Sequence, residues 1–400
     1  MLNNRYVRTI LLSRVLLQLG IWVRNFAILL YVTDLTHNDP NYVSLISIAE
    51  FAPIFIFAII GGTFADRWQP KRTMVWCDLL SALSVFVVLG VLAFGSWYFL
   101  LAGTFVSAVL SQFSQPSAMK LYKRHVSAEQ LQRVMAMSQS LMAIFMVIGP
   151  VIGTFVYQQY GIEVSLIVTG IVFFGSALIL MSLPRDAEEA NSKETPDFTK
   201  ELTAGLRYVW NSSALRTLGI VFSVAGLAAG LVQPLAVFIV MENLGQDKAF
   251  LQWLLMANGA AMLVGGGLIM AIARKLKPQT LLAMGLVVSS LSTLGVGWST
   301  SIPLTFLLQI LNGLFYPCVH IGIQTLLLNH TKGAFVGRVG GAITPVFMGM
   351  MVIGMSLAGY LKDALSLLPV YAASGVLLLL GALLLLPLLQ TRRQTEKVSG

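Results

Sequence analysis

The chain has 400 residues, 56% of them hydrophobic and 11% charged, with a mean hydropathy of +0.80. A soluble chain carries roughly 25% charged residues to cover its surface, so this composition excludes a water-soluble globular protein and requires a surface that faces lipid. The formal charge of +9 raises nucleic acid as a partner, and the placement of the cations, taken up below, removes it.

A bilayer core about 30 Å thick is crossed by about 20 apolar residues rising about 1.5 Å each. Cutting the chain at polar interruptions predicts spans at 10–32, 42–64, 73–94, 98–119, 134–157 and 164–183, then at 215–241, 250–273, 281–298, 302–328, 339–361 and 367–389. Helices are required, because a backbone in hydrocarbon must satisfy its own hydrogen bonds and these runs exceed a barrel strand. The N-terminal MLNNRYVRTILLSR resembles a secretory signal, but no small-residue cleavage site follows and equal runs recur to the C-terminus, so span one is expected to be retained.

Span one carries Arg14, Gln18, Arg24 and Asn25, span two Glu50, span three Asp78, and span four Gln112 and Gln115. Span five holds IGPVIG, with Gly149, Pro150 and Gly153, which reads as close helix packing at small residues with a proline kink. Residues 185–213 form the one long polar stretch, expected to be a linker that turns amphipathic from about Phe198. Its Leu202, Leu206, Val209 and Trp210 fall at helical spacing, placing it along the inner membrane surface. It divides an N-terminal six-helix bundle (1–184) from a C-terminal one (214–390), with 391–400 as a tail. In the second bundle the intramembrane polar residues are Gln233, Asn258, Asn312, His320 and Gln324. Cys77 and Cys318 lie in apolar segments of opposite halves without a further ligand at metal spacing, so they read as packing thiols and no metal site is expected.

Cytoplasmic loops collect Lys and Arg. With the N-terminus inside, Lys248 and Lys362 alone of the 26 Lys and Arg residues fall in outer loops, while Arg14 and Arg24 lie within span one. The asymmetry predicts an even number of spans with both termini cytoplasmic, and it accounts for the positive charge without nucleic acid. The halves also read as copies. A shift of 205 residues sets RVMAMSQSLMAIFMVIG, from Arg133, on RVGGAITPVFMGMMVIG, from Arg338, and matches Gly149 with Gly354. Internal duplication of this kind marks transporter folds.

The most specific local pattern is GGTFADRWQPKRTM between spans two and three. Its Gly62, Asp66, Arg67, Lys71 and Arg72 resemble the loop motif of the major facilitator superfamily, with Gln69 and Pro70 departing from the commonest form. The resemblance implies twelve helices in two pseudo-symmetric bundles that rock about a central cavity, and a loop that latches the inward-closed state through charge next to a helix end. The equivalent loop of the second half lacks Asp-Arg, and span four lacks the Arg that many proton antiporters of the superfamily carry there. The Gly149-Pro150 core is the part of the longer exporter motif that is present here. YVTDLTHND, the DRWQPKRTMVWCD run, FSQPS and ELTAGLRYVWNSSALR are similar to the macrolide-efflux and enterobactin-exporter subgroup of drug:proton antiporters.

A charge at the centre of a span costs about 2.5 to 3.5 kcal/mol on insertion scales, so each needs a partner or a task. Depth along the helices sets Arg24 level with Glu50 in the outer half and Arg14 level with Asp78 near the inner face. Glu50 then either changes protonation as Arg24 approaches and withdraws, or remains in a permanent ion pair with it; Asp78, just above the latch loop, reads as structural. By the resemblance, spans one, four, seven and ten surround the cavity, which makes Gln18, Asn25, Gln112, Gln115, Gln233, Asn312, Tyr316, His320 and Gln324 its candidate lining, with Trp22 and Phe113 as apolar walls. No GxxxxGK[ST] loop, HExxH pair or Cys/His cluster is present, so no enzyme and no ATP-driven pump is expected from this chain alone. The expected task is proton-coupled efflux of a hydrophobic or amphipathic small molecule by a monomer in a bacterial cytoplasmic membrane, driven by the proton gradient without a cofactor. Uptake symport, lipid translocation and a non-transporting sensor stay open as alternatives.

Overall fold

The computed structural model describes residues 4–92, 94–184, 198–272, 276–331 and 335–385, with 58–67, 128–129, 198–202, 271 and 336–338 described by their backbone alone. Two compact units, Met1–Glu194 and Thr195–Gly400, divide the chain. The first contains α1 (Arg5–Leu35), α2 (Pro40–Arg67), α3 (Pro70–Leu92), α4 (Tyr98–His125) and α5 (Ala128–Met181). The second contains α6 (Phe198–Asn211), α7 (Ser213–Val232), a short α8 (Ala236–Phe238) that widens into a π-turn (Ile239–Asn243), then α9 (Leu251–Ile272), α10 (Pro278–Trp298), α11 (Ile302–His330), α12 (Val336–Leu365) and α13 (Leu367–Leu383). Nine segments among the described residues are long and apolar enough to cross a bilayer. The predicted linker 185–197 and the tail 391–400 lie outside the described residues.

Spans five and six run as one helix, α5, broken at a single residue, Gly161, whose φ of 75° and ψ of −173° are open to glycine but strained for other residues. The expected seventh span is cut short at Gln233, because Pro234 supplies no N–H to continue α7. The amphipathic expectation for 198–211 holds as α6: Tyr208 stacks on Phe335 at 4.6 Å while Leu206 and Trp210 stay exposed on the other side.

Within the first unit, α1 lies in close contact with α5. A Cβ at Gly149 would sit 2.4 Å from the Trp22 ring, one at Gly153 2.6 Å from the Trp22 carbonyl oxygen, and one at Gly20 2.6 Å from Phe173. Those glycines let two backbones approach where any side chain would hold them apart. In the second unit α7 meets α12 the same way, through Gly230 against the Met351 carbonyl and Gly354 against the Leu227 carbonyl.

The shift of 205 residues read from span five extends through both units. Trp22 and Leu227 are the partners of Gly149 and Gly354. His125 and His330, each at a helix C-terminus, place Nδ1 3.0 Å and 2.8 Å from the carbonyls of Leu121 and Leu326. The break at Gly161 recurs at Ser366, between α12 and α13, with φ 72° and ψ 179°. Between α3 and α10, which both begin on a proline, the shift is 208 residues.

Ser366 occupies a backbone region that is strained for any residue with a Cβ, and its hydroxyl caps neither flanking helix. Ser366→Gly is therefore expected to raise the unfolding free energy by about 1 kcal/mol and Gly161→Ser to lower it by about 1–3 kcal/mol. Denaturant titration in detergent micelles checks both, and a neutral outcome at the two positions would mean that this break is not a backbone constraint.

Candidate functional site

All four intramembrane charges of the first unit line one cavity of about 430 Å³. Arg14, Gln18 and Arg24 reach it from α1, Glu50 from α2, Asp78 from α3, and Gln112 and Gln115 from α4. Arg24 and Glu50 are joined through Asn25 rather than by direct contact. Arg24 donates from Nε and Nη2 to Asn25 Oδ1 at 3.1 and 3.0 Å, and Asn25 Nδ2 donates to Glu50 Oε1 at 2.7 Å. The amide thus receives from the cation and gives to the carboxylate, which relays compensation between two charges held in a low-dielectric interior. Arg24 is 4% exposed, and its Nη1 has no acceptor.

The lower pair is also separated. Arg14 Nη2 donates to the Ser114 carbonyl at 3.3 Å, and Asp78, 2% exposed, accepts from Ser176 Oγ at 2.6 Å, which in turn lies 2.8 Å from Ser13 Oγ. This serine pair has no signal in the sequence, where serines in apolar spans are common. The second unit shows what the fold itself requires at these places. The counterparts of Ser13, Asp78 and Ser176 are Leu218, Leu286 and Gly381, and those of Arg14 and Arg24 are Gly219 and Ala229. Leu218 and Leu286 are wholly apolar core there. An equivalent bundle is built without the charges, so they are additions to the fold and not conditions of it.

The loop-motif residues divide. The side chains of Gly62, Asp66 and Arg67 lie outside the described residues. Lys71 donates to the carbonyls of Met181, at 3.0 Å, and Leu183, and Arg5 donates to Ser182. Both cations thus close the C-terminal end of α5, where unpaired carbonyls and the helix dipole favour positive charge. Arg72 is exposed beside Trp68 and Trp76.

In the second unit Asn312, Tyr316, His320 and Gln324 repeat every fourth residue along α11 and so share one face. Their counterparts at a shift of 205 residues are Ser107, Ser111, Gln115 and Met119, all on the cavity face of α4. Gln233 stands apart at the end of α7. Asn258 is used inside the unit, donating to the Gln309 carbonyl at 2.9 Å. Gly149, Pro150 and Gly153 serve the packing of α1 on α5 described above.

Removing one member of a buried charge network leaves the other uncompensated. Glu50→Leu is expected to cost about 3–5 kcal/mol, and Arg24→Leu combined with it to recover most of the loss. A double-mutant cycle by chemical unfolding in micelles measures this, and additive losses would show that Asn25 does not couple the two charges.

A family model for the Major Facilitator Superfamily matches residues 10–232 and again residues 218–400. The chain is similar to the multidrug efflux pump Tap of Mycolicibacterium fortuitum, at 27% identity over 375 residues covering 87% of each protein. It is similar also to macrolide efflux protein A of Streptococcus pyogenes, at 22% over 371 residues and 89% of each. A solved POT family transporter in complex with 5-aminolevulinic acid matches with a TM-score of 0.77 over 96% of each chain at 12% identity, a likeness of fold.

Proposed function

This chain belongs to the Major Facilitator Superfamily, and from that premise we propose that it exports a hydrophobic or amphipathic small molecule, a drug, macrolide or siderophore-like metabolite, in exchange for protons. Membership makes it a transporter of the cell membrane and not an enzyme. The observation that carries the export reading is the Arg24–Asn25–Glu50 relay in the polar cavity, absent from the equivalent positions of the second unit, together with similarity to two proteins named as efflux pumps. Glu50 is the proton-carrying group. While it is ionised it compensates Arg24 through Asn25; protonation removes that compensation and makes a different arrangement of α1 against α2 the favourable one. Asp78, tied to Ser176, positions α3 against α5 beside Arg14. The proton gradient is the energy source, no cofactor takes part, and the working unit is a monomer.

The membrane arrangement follows from the helices. We infer twelve spans: the nine long apolar segments, with α5 crossing twice by virtue of Gly161, and in addition α4 and α13, which are too polar or too short to qualify by composition. Both termini are then cytoplasmic in a bacterial inner membrane, and Asp66, Arg67 and Arg72 lie on the cytoplasmic side, where the loop biases closure. On the second unit, Asn312, Tyr316, His320 and Gln324 of α11 are the residues proposed to contact substrate.

Three measurements test this. In cells that overexpress the chain, resistance to its substrates should vanish when the proton gradient is collapsed. In reconstituted vesicles Glu50→Gln should keep substrate binding while flux loses its dependence on the pH difference, and an unchanged dependence in a folded variant removes Glu50 from the coupling. A C-terminal fusion to a reporter active only in the cytoplasm should be active, and silence of that reporter with a periplasmic reporter active instead overturns the topology.

A further inference from the structure

Two residues that line the polar cavity, Cys77 on α3 and Leu110 on α4, also line a second cavity of about 580 Å³ on their other side. Its remaining walls include Trp68, Arg72, Trp76 and Phe113. It lies between α3 and α4, which touch farther along, where a Cβ on Gly103 would come within 2.6 Å of Val88. Lys71, Lys123 and Arg124 stand at the other end of the two helices. Pro116 leaves the Gln112 carbonyl without its helical N–H, one turn from Phe113.

Opposite faces of α3 meet opposite environments. Trp76 is 60% exposed, and Leu80, Leu83 and Val87 continue an exposed apolar stripe from it. Cys77, Asp78 and Ser81 turn to the polar cavity. The crevice therefore lies between lipid and the charged interior, and what divides it from that interior includes a thiol and a leucine, neither of them charged. Trp68 stacks on Phe113 at 5.7 Å, which gives the crevice flat aromatic walls, and Arg72 and Thr73 supply polar groups at its basic end. Indole rings at this level suit a molecule with one apolar and one polar end.

We propose that the α3–α4 crevice binds an amphiphile dissolved in the leaflet at the basic end of the bundle, ring system between Trp76 and Phe113 and polar end at Arg72, and passes it to the polar cavity through the Cys77–Leu110 wall. That the amphiphile is the exported molecule rests on the export reading; the binding site and the passage do not. Rotation of the Leu110 side chain opens the wall without breaking a hydrogen bond or moving a charge, whereas a route past Asp78 disturbs its bond to Ser176.

Photolabelling in phospholipid vesicles tests the site without requiring transport, using a neutral aryl diazirine with a short alkyl chain as the probe. In the wild type, adducts should concentrate on the segments 76–80 and 110–113 and extend to Gln18 and Ser111 of the polar cavity. Leu110→Trp should confine them to the crevice, reducing adducts in the polar cavity by about tenfold, Leu110→Phe should do so more weakly, and Leu110→Ala should increase them. Uniform labelling of every lipid-facing helix overturns the site, and polar-cavity adducts that are indifferent to all three substitutions overturn the passage. If a compound is exported equally well by wild type and Leu110→Trp, export stands and the passage fails. If crevice labelling is as expected while no compound is exported, the site stands and the export reading fails.

Discussion

An ion in hydrocarbon must be compensated within reach of its own side chain, and the first unit is organised by that requirement. Arg24 has almost no contact with solvent, so its charge is held by groups from α1 and α2 alone: two hydrogen bonds to Asn25, and through Asn25 the carboxylate of Glu50. A direct ion pair would bind more tightly and exchange less readily. An intervening amide keeps the two charges coupled while leaving Arg24 Nη1 without an acceptor. A buried nitrogen with N–H groups to spare is poised, because small changes in protonation or in a ligand's position decide which acceptor it meets.

The second unit serves as the control that such arguments usually lack. It repeats the α1–α5 glycine contacts as α7–α12, the histidine at the end of α4 as that at the end of α11, and the backbone break at Gly161 as Ser366. It does so with Leu218, Leu286 and Gly381 where the first unit has Ser13, Asp78 and Ser176. Packing and backbone geometry are thus shared by both bundles, while the ions at these matched positions belong to the first; the second unit's Lys362–Glu242 ion pair stands elsewhere.

Much of this was legible in the sequence, and the division follows from physics. Span positions depend on the length of apolar runs against the thickness of hydrocarbon, both local quantities, and the helices overlap the predicted runs, except that α5 covers two of them and α7 stops at Val232. The shift of 205 residues was visible in span five and proved to hold at Trp22, His125 and Gly161. A charge or amide in an apolar span has few places to go, and in the structure Arg14, Gln18, Arg24, Glu50, Asp78, Gln112 and Gln115 surround one cavity of the first unit. Their partners were not legible. That Asn25 stands between Arg24 and Glu50, that Ser176 rather than Arg14 is hydrogen-bonded to Asp78, and that Lys71 closes the end of α5 all depend on which helices cross and at what height. No local pattern carries that information. Gln233 was expected within a span, and the structure sets it at the C-terminal end of α7, just before Pro234.

The confinement of the charges has a consequence for coupling. A proton gradient does work on a carrier only where a group changes its charge between conformations, and the energy it delivers is set by how differently those conformations solvate that group. At the positions equivalent to Arg14, Arg24 and Asp78 the second unit offers Gly219, Ala229 and Leu286, none of which titrates. On the proposed exchange with protons, a change of charge at Glu50 would therefore act on contacts of the first unit that have no charged match at these positions of the second. The polar face of α11 offers two amides, a phenol and an imidazole, and no carboxylate or guanidinium like those on α1, α2 and α3. The two scaffolds are similar, and setting Arg14, Arg24 and Asp78 in one of them and Gly219, Ala229 and Leu286 in the other gives the matched positions different chemistry on the same helical frame.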